Sequence, residues 1–96
     1  MNTVKAFIEI GKDGTYSVYV DLNDNTLNYG IHGTGNTVKE AINDFISAYE
    51  AMKKFYHQKG KEFTEASFSY NYDIESFFNY NANDFSLAEL YHSTTL

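Results

Sequence analysis

The spacing of apolar residues changes twice along the chain, and this change limits the possible fold more than any other feature of the sequence. Apolar side chains alternate in segments 4–10 and 16–22, recur at three- and four-residue steps through 38–56, and alternate again in 63–72. Alternation is typical of a strand with one buried face, whereas the longer steps are typical of an amphipathic helix. The pattern therefore predicts strands, then one long helix, then a further strand.

Turn-forming residues separate the N-terminal strands. Residues 11–14 read Gly-Lys-Asp-Gly and predict a hairpin between the first two strands, and Asn-Asp-Asn at 23–25 predicts the next turn. In the second strand, Leu22 shares the parity of the apolar face. After the second turn, apolar residues of one parity predict a third, shorter strand; these are Leu27, Tyr29 and Ile31. The three strands are expected to form a meander.

The long helix has signals at both ends. Thr37 and Glu40 have the spacing of a capping box, and Gly60 is a helix stop signal. A helix between the third and fourth strands provides a crossover, which makes the fourth strand parallel to its neighbour. If that neighbour is the first strand, the sheet order is 3-2-1-4. We therefore expect an α+β domain whose sheet is covered by one long helix, followed by short C-terminal helices.

Three glycines precede the helix, namely Gly30, Gly33 and Gly35. Their spacing fits neither of the glycine-rich motifs that bind phosphate, and no lysine follows at the required place. A bulge or sharp bend at a strand end is the expected reason for them.

The charge balance argues against nucleic-acid binding. The net charge is −6, and the seven basic residues are all lysines. Arginine is the usual residue for bidentate phosphate and guanine contacts. Four lysines cluster near the end of the helix, where they complement its dipole; they are Lys53, Lys54, Lys59 and Lys61. An acidic chain is instead suited to capturing a basic polypeptide.

Few residues are available for catalysis or metal binding. The chain has no cysteine, and its three histidines, His32, His57 and His92, do not have metal-ligand spacing. We therefore expect a protein with no catalytic residues, metal or cofactor, which is not an enzyme. No apolar run is long enough to span a bilayer, and nothing resembles a signal peptide, so we expect a protein that is neither exported nor membrane-bound.

Two longer segments, 12–22 and 35–45, together with 73–78 and 85–90, resemble the HicB family of bacterial antitoxins. The resemblance implies a partial ribonuclease H-like domain over residues 1–72, with the element order β-β-β-α-β. It further implies that 73–96 is the incomplete start of a helix-turn-helix. The family pattern differs in the turn at 23–25, where proline is common.

The ribonuclease H-like order raises one enzymatic alternative. That fold binds two metal ions through acids from the first strand, the following helix and the end of the fourth strand. The matching residues here are Glu9, Glu40 or Asp44, and Asp73. However, Glu9 has the parity opposite the apolar face, and helix capping explains Glu40 and Asp73. A metal-dependent nuclease is therefore the least favoured function.

By this resemblance, the chain is a cytoplasmic, bacterial antitoxin that neutralises a small basic mRNA-cleaving toxin of the HicA type by covering it. We expect the toxin to contact Asp21, Asp24 and Tyr29, on the premise that the strand 2–3 region offers free backbone groups beside acids. Family members assemble as oligomers, so a homo-oligomer is also expected.

The alternative is a fragment of a HicB-like transcriptional regulator. The chain ends at Leu96, before a recognition helix could form. We therefore expect no specific DNA binding by this chain alone, although a longer parent would bind DNA.

Overall fold

The computed structural model describes residues 2–81, which form one four-stranded mixed sheet and two helices. The elements are β1 (Asn2–Ile10), β2 (Tyr16–Val20), β3 (His32–Gly35), α1 (Val38–Gln58), β4 (Ala66–Tyr72) and α2 (Ile74–Asn81). The strand order is β3-β2-β1-β4, with β1 antiparallel to β2, β2 antiparallel to β3, and β1 parallel to β4. The predicted α+β class, sheet order and long helix are confirmed. Neither helix has the length and apolar character required to cross a membrane.

The core lies between α1 and one face of the sheet. The apolar residues that alternate along β1 and β2 face the helix. The apolar residues that recur every three or four positions in α1 face the sheet. The buried hydrophobic residues within 2–81 are Val4, Ala6, Ile8, Val18, Ile31, Ala41, Phe45, Tyr49 and Ala66. Phe45 is the largest fully buried side chain, and its ring meets the edge of the Phe68 ring at 4.9 Å between centroids. Further aromatic side chains from β4 and the loops pack around this buried cluster.

The third strand does not lie where the sequence predicted it. β3 spans His32–Gly35, whereas Leu27 and Tyr29 belong to an irregular segment. That segment is held by side chains: the Tyr29 hydroxyl donates to the carbonyl of Thr64, and the Asn28 amide donates to the carbonyl of Glu62. Within 27–31, Tyr29 is therefore held by the 62–64 loop rather than by strand pairing, and Ile31 is buried in the main core.

The glycines of β3 have a different role from the predicted bulge. The β2–β3 pairing continues without an inserted residue, from Tyr16 opposite Gly35 to Tyr19 opposite His32. A β-carbon on Gly33 would lie 2.3 Å from the backbone nitrogen of Phe45, and one on Gly35 would lie 2.6 Å from that of Ala41. These glycines let α1 pack directly on the strand backbone.

The ends of α1 are as predicted. The Thr37 hydroxyl accepts a hydrogen bond from the Glu40 N–H at 3.1 Å, and the Glu40 carboxylate accepts from the N–H of Asn36. At the other end, Gly60 has a φ of 66°, in the left-handed region, and the Lys61 N–H donates to the Tyr56 carbonyl. This closure is typical of a helix stopped by glycine.

The second helix also begins at its predicted cap. The Ser76 N–H lies 3.4 Å from the Asp73 carboxylate, and the Ser76 hydroxyl donates to the Asp73 carbonyl. The same hydroxyl accepts from the N–H of Ile10, which ties α2 to the end of β1. Any further C-terminal helix, predicted beyond this one, lies outside the described residues.

Candidate protein-binding site

The turn after β2 brings two of the predicted contact residues together. The Asp24 N–H donates to the carbonyl of Asp21 at 3.0 Å, and the Asp21 N–H donates to the carbonyl of Lys5 in β1. Each carboxylate accepts a backbone N–H two residues ahead: Asp21 from Asn23 at 3.0 Å and Asp24 from Thr26 at 2.8 Å. These aspartate turns hold residues 21–24 in a fixed shape against the sheet.

The charge of Asp24 is stabilised by the turn itself. Hydrogen bonds from Thr26 lower the pKa of the Asp24 carboxyl below its usual value. Asp24 is therefore ionised at neutral pH.

Leu22 lies between these acids and is 88% exposed, the highest exposure among the large hydrophobic residues described. The sequence placed Leu22 on the buried face of the second strand, and this is wrong. β2 ends at Val20, and the turn bonds of Asp21 and Asp24 take the backbone out of the strand, so Leu22 leaves the alternation and faces solvent. The sequence indicates this turn, because Asp21 and Asp24 flank Leu22 and Asn23, and aspartate in such positions is typical of a turn.

Tyr29 belongs to an aromatic cluster outside the turn at 21–24. Its ring stacks on Phe63 at 4.5 Å between centroids and meets the edges of Tyr49 and Tyr56. Its hydroxyl donates to the Thr64 carbonyl at 2.7 Å. Burial raises the pKa of Tyr29 well above its usual value. Tyr29 is therefore a half-buried member of an aromatic cluster, and its contact with a partner stays a prediction.

Two N–H groups at the edge formed by β3 and the residue after it already have hydrogen-bond acceptors. Its outward N–H groups at Thr34 and Asn36 donate to the carboxylates of Asp44 and Glu40, at 2.9 and 3.1 Å. These acids line a shallow groove between α1 and β3. The prediction of free backbone groups in the strand 2–3 region fails at these two amides, because α1 supplies acceptors for both.

Two of the acids expected for a metal site lie on the sheet face opposite α1. The Tyr19 hydroxyl donates to the Asp73 carboxylate at 3.3 Å, and Glu9 also lies near it. Burial, together with the negative charges of Asp73 and Glu9, raises the pKa of Tyr19 to about 12. Asp44 does not approach this pair, since it binds the backbone of β3 at the far edge of the sheet.

No group of three or more histidine or acidic side chains within residues 2–81 is placed to hold a metal ion. Glu9 and Asp73 flank a tyrosine, Glu40 caps α1 and Asp44 caps β3. The three acids required by the nuclease alternative are thus not brought together.

The lysines at the end of α1 are mostly engaged. Lys53 forms an ion pair with Glu65, which raises the pKa of Lys53 and lowers that of Glu65. Lys59 and Lys61 lie over the rings of Phe55 and Tyr56, at 5.7 and 6.0 Å from the centroids. The cluster is therefore divided among local contacts rather than gathered around one anion position.

A comparison of the chain with protein-family models, with curated proteins and with solved structures finds no match.

Proposed function

We propose that the chain is an antitoxin-like protein-binding domain that acts by covering its partner rather than by catalysis. The partner is a small basic mRNA-cleaving toxin of the HicA type in the bacterial cytoplasm. The observation that carries the proposal is the turn at 21–24, in which Leu22, 88% exposed, lies between Asp21 and Asp24. The resemblance of segments 12–22 and 35–45 to the HicB family supplies the type of partner.

The turn has the composition of a binding hot spot. An exposed apolar side chain that enters a pocket supplies affinity, and surrounding polar groups exclude water and set the orientation. Because the turn is held by four hydrogen bonds involving its own backbone, little ordering is required on binding.

The net charge of the chain supports a basic partner. A toxin that cleaves mRNA must present a basic surface to its substrate. A chain with a net charge of −6 attracts such a surface and accelerates the encounter. Covering that basic surface would block access to RNA without any catalytic group.

The same proposal includes the finer description of the fold as a partial ribonuclease H-like domain. It is supported by the element order β1-β2-β3-α1-β4 and by the parallel pairing of β4 with β1.

Co-expression with a HicA-type toxin in a bacterial host tests the proposal. The chain is expected to restore growth and to keep mRNA intact. Leu22→Ser should leave the fold unchanged, since the side chain is exposed, and should weaken rescue by raising the Kd about tenfold or more. Ile74→Ser is the matched control, because Ile74 is 73% exposed in α2. Rescue that is equally reduced by both variants, or by neither, contradicts the assignment of the turn.

The acids are tested by a charge-matched pair of double variants. Asp21→Lys with Asp24→Lys should abolish rescue, whereas Asp13→Lys with Glu62→Lys changes the net charge equally and should retain it. Asp13 is a suitable control because its carboxylate accepts the Thr15 N–H in the same kind of turn. Loss of rescue in both double variants would show that net charge, and not this turn, decides binding.

One observation favours the regulator alternative. α2 begins directly after β4, is capped by Asp73, and exposes Ile74 and Phe78. These features suit the start of a further helical unit such as a helix-turn-helix. A gel shift should show no operator binding by this chain and specific binding by a version extended beyond Leu96. If both versions bind the operator equally, or if neither binds it, the regulator alternative is contradicted.

A further inference from the structure

The two edges of the sheet differ in how they are protected. β3 is short, and its outward N–H groups at Thr34 and Asn36 are covered by carboxylates of α1. β4 spans Ala66–Tyr72 with the sequence ASFSYNY, which contains no charge, proline or glycine. Edge strands are usually protected by charges, bulges, proline or a covering element. Along β4, none of these devices is present within the described chain.

The hydrogen bonds at the ends of β4 show which backbone groups face outward. The Asp73 N–H donates to the Ile8 carbonyl of β1. The backbone N–H and C=O groups of the odd-numbered residues of β4 therefore point toward β1. The Ala66 N–H instead donates to the Tyr49 hydroxyl. The backbone N–H and C=O groups of the even-numbered residues therefore face the free edge. The N–H and C=O groups of Phe68, Tyr70 and Tyr72 therefore form a row that no residue within 2–81 binds.

The side chains of β4 are complementary to a second copy of the same strand. The aromatic residues Phe68, Tyr70 and Tyr72 lie on the face toward α1, and Ser67, Ser69 and Asn71 lie on the opposite face. In an antiparallel pair related by a two-fold axis, residues whose backbone groups face the free edge lie opposite each other. The same side-chain faces also lie together, so aromatic rings contact rings, and hydroxyl or amide groups contact hydroxyl or amide groups. Such pairing would also cover Tyr72, which is 52% exposed.

We propose that the chain forms a two-fold dimer through antiparallel pairing of β4 with β4 of a second copy, giving one continuous eight-stranded sheet. The strand carries no charge, so it offers a basic segment nothing to recognise, whereas an uncharged strand of the same alternation fits it on both faces. The proposed toxin contact uses the turn at 21–24, so the dimer does not depend on the proposed function.

Sedimentation analysis over a range of concentrations tests the dimer. We expect a mass of twice 11.0 kDa that falls to 11.0 kDa on dilution. Ser69→Lys places a positive charge near the two-fold axis on the exposed face of β4 and should raise the dimer Kd at least tenfold. Thr34→Lys puts the same residue on the same face at the other edge, and its Kd should match that of the original chain. Circular dichroism establishes that both variants are folded.

Amide hydrogen exchange provides a second readout that needs no variant. The amides of Phe68, Tyr70 and Tyr72 should gain protection as concentration rises, because each would then donate across the dimer. A monomer at every concentration overturns the proposal, as does a dimer weakened by Thr34→Lys but not by Ser69→Lys. Protection of these amides that does not change with concentration also overturns it, since the edge would then be covered within one chain.

Discussion

Gly33→Ala is expected to destabilise the domain more than any other single-methyl addition to a glycine. An added β-carbon would lie 2.3 Å from the Phe45 nitrogen, 2.5 Å from the Ala41 carbonyl oxygen and 2.7 Å from the Phe45 α-carbon. All of these are backbone atoms of α1, so no side chain can rotate away. The helix would have to retreat by about 1 Å to restore ordinary contact at 3.4 Å or more.

The retreat of α1 would loosen the most buried part of the core. Phe45 is fully buried and contacts the rings of Phe68 and Tyr70. Overpacking of a dense core costs about 1–3 kcal/mol, and a contact with rigid backbone on both sides belongs at the upper end of that range. We therefore expect a loss of about 3 kcal/mol, a large fraction of the stability of a domain of this size.

Urea unfolding followed by circular dichroism measures this loss. Gly30→Ala is the matched control, because nothing lies within 4 Å of a β-carbon at Gly30 and its φ is not positive. That variant should change the free energy of unfolding by less than about 1 kcal/mol. Equal stability of the two variants would refute the close packing of α1 on β3.

Three further predictions concern other parts of the domain. Phe45→Ala should cost about 3–5 kcal/mol in the same unfolding assay, because it empties the centre of the core, and a loss below about 1 kcal/mol would contradict the core described here. Thr37→Ala should cost about 1 kcal/mol, since it removes the acceptor for the Glu40 N–H, while Thr37→Ser should retain most of the stability. The pKa of Tyr19 is raised to about 12 in the folded chain, so stability should fall as pH rises from 10 toward 12, and Tyr19→Phe should lose less over that interval. If the pH dependence of stability is the same in Tyr19→Phe, then Tyr19 and its contact with Asp73 and Glu9 are not the cause of the loss.

Hydrophobic spacing was sufficient to predict the elements that bury a continuous apolar face. In α1, the stripe through Ala41, Phe45 and Tyr49 is the buried face, and both ends carry local capping signals. The order β3-β2-β1-β4 followed from the turns and from the crossover that the helix provides. The helix, its ends and the turns depend on neighbours in sequence, whereas the place of β4 beside β1 was expected from the crossover topology.

The errors arose where contacts distant in sequence decide the structure. Apolar parity at 27–31 suggested a strand, but the ring of Tyr29 is held by Phe63 and its hydroxyl by Thr64. The role of Gly33 depends on the backbone of α1, which only the folded structure brings near. At the candidate site, the turn that joins Asp21 and Asp24 is predictable from local sequence, whereas the exposure of Leu22 follows from where β2 ends. That a partner binds there stays a prediction.

Calorimetric titration of the chain with a catalytically inactive HicA-type toxin tests the proposed function most directly. We expect saturable binding that weakens as salt concentration rises, because opposite charges are screened. Binding should also weaken about tenfold or more in Leu22→Ser but not in Ile74→Ser. Absence of binding at low salt, or binding that is insensitive to both salt and Leu22, would contradict it.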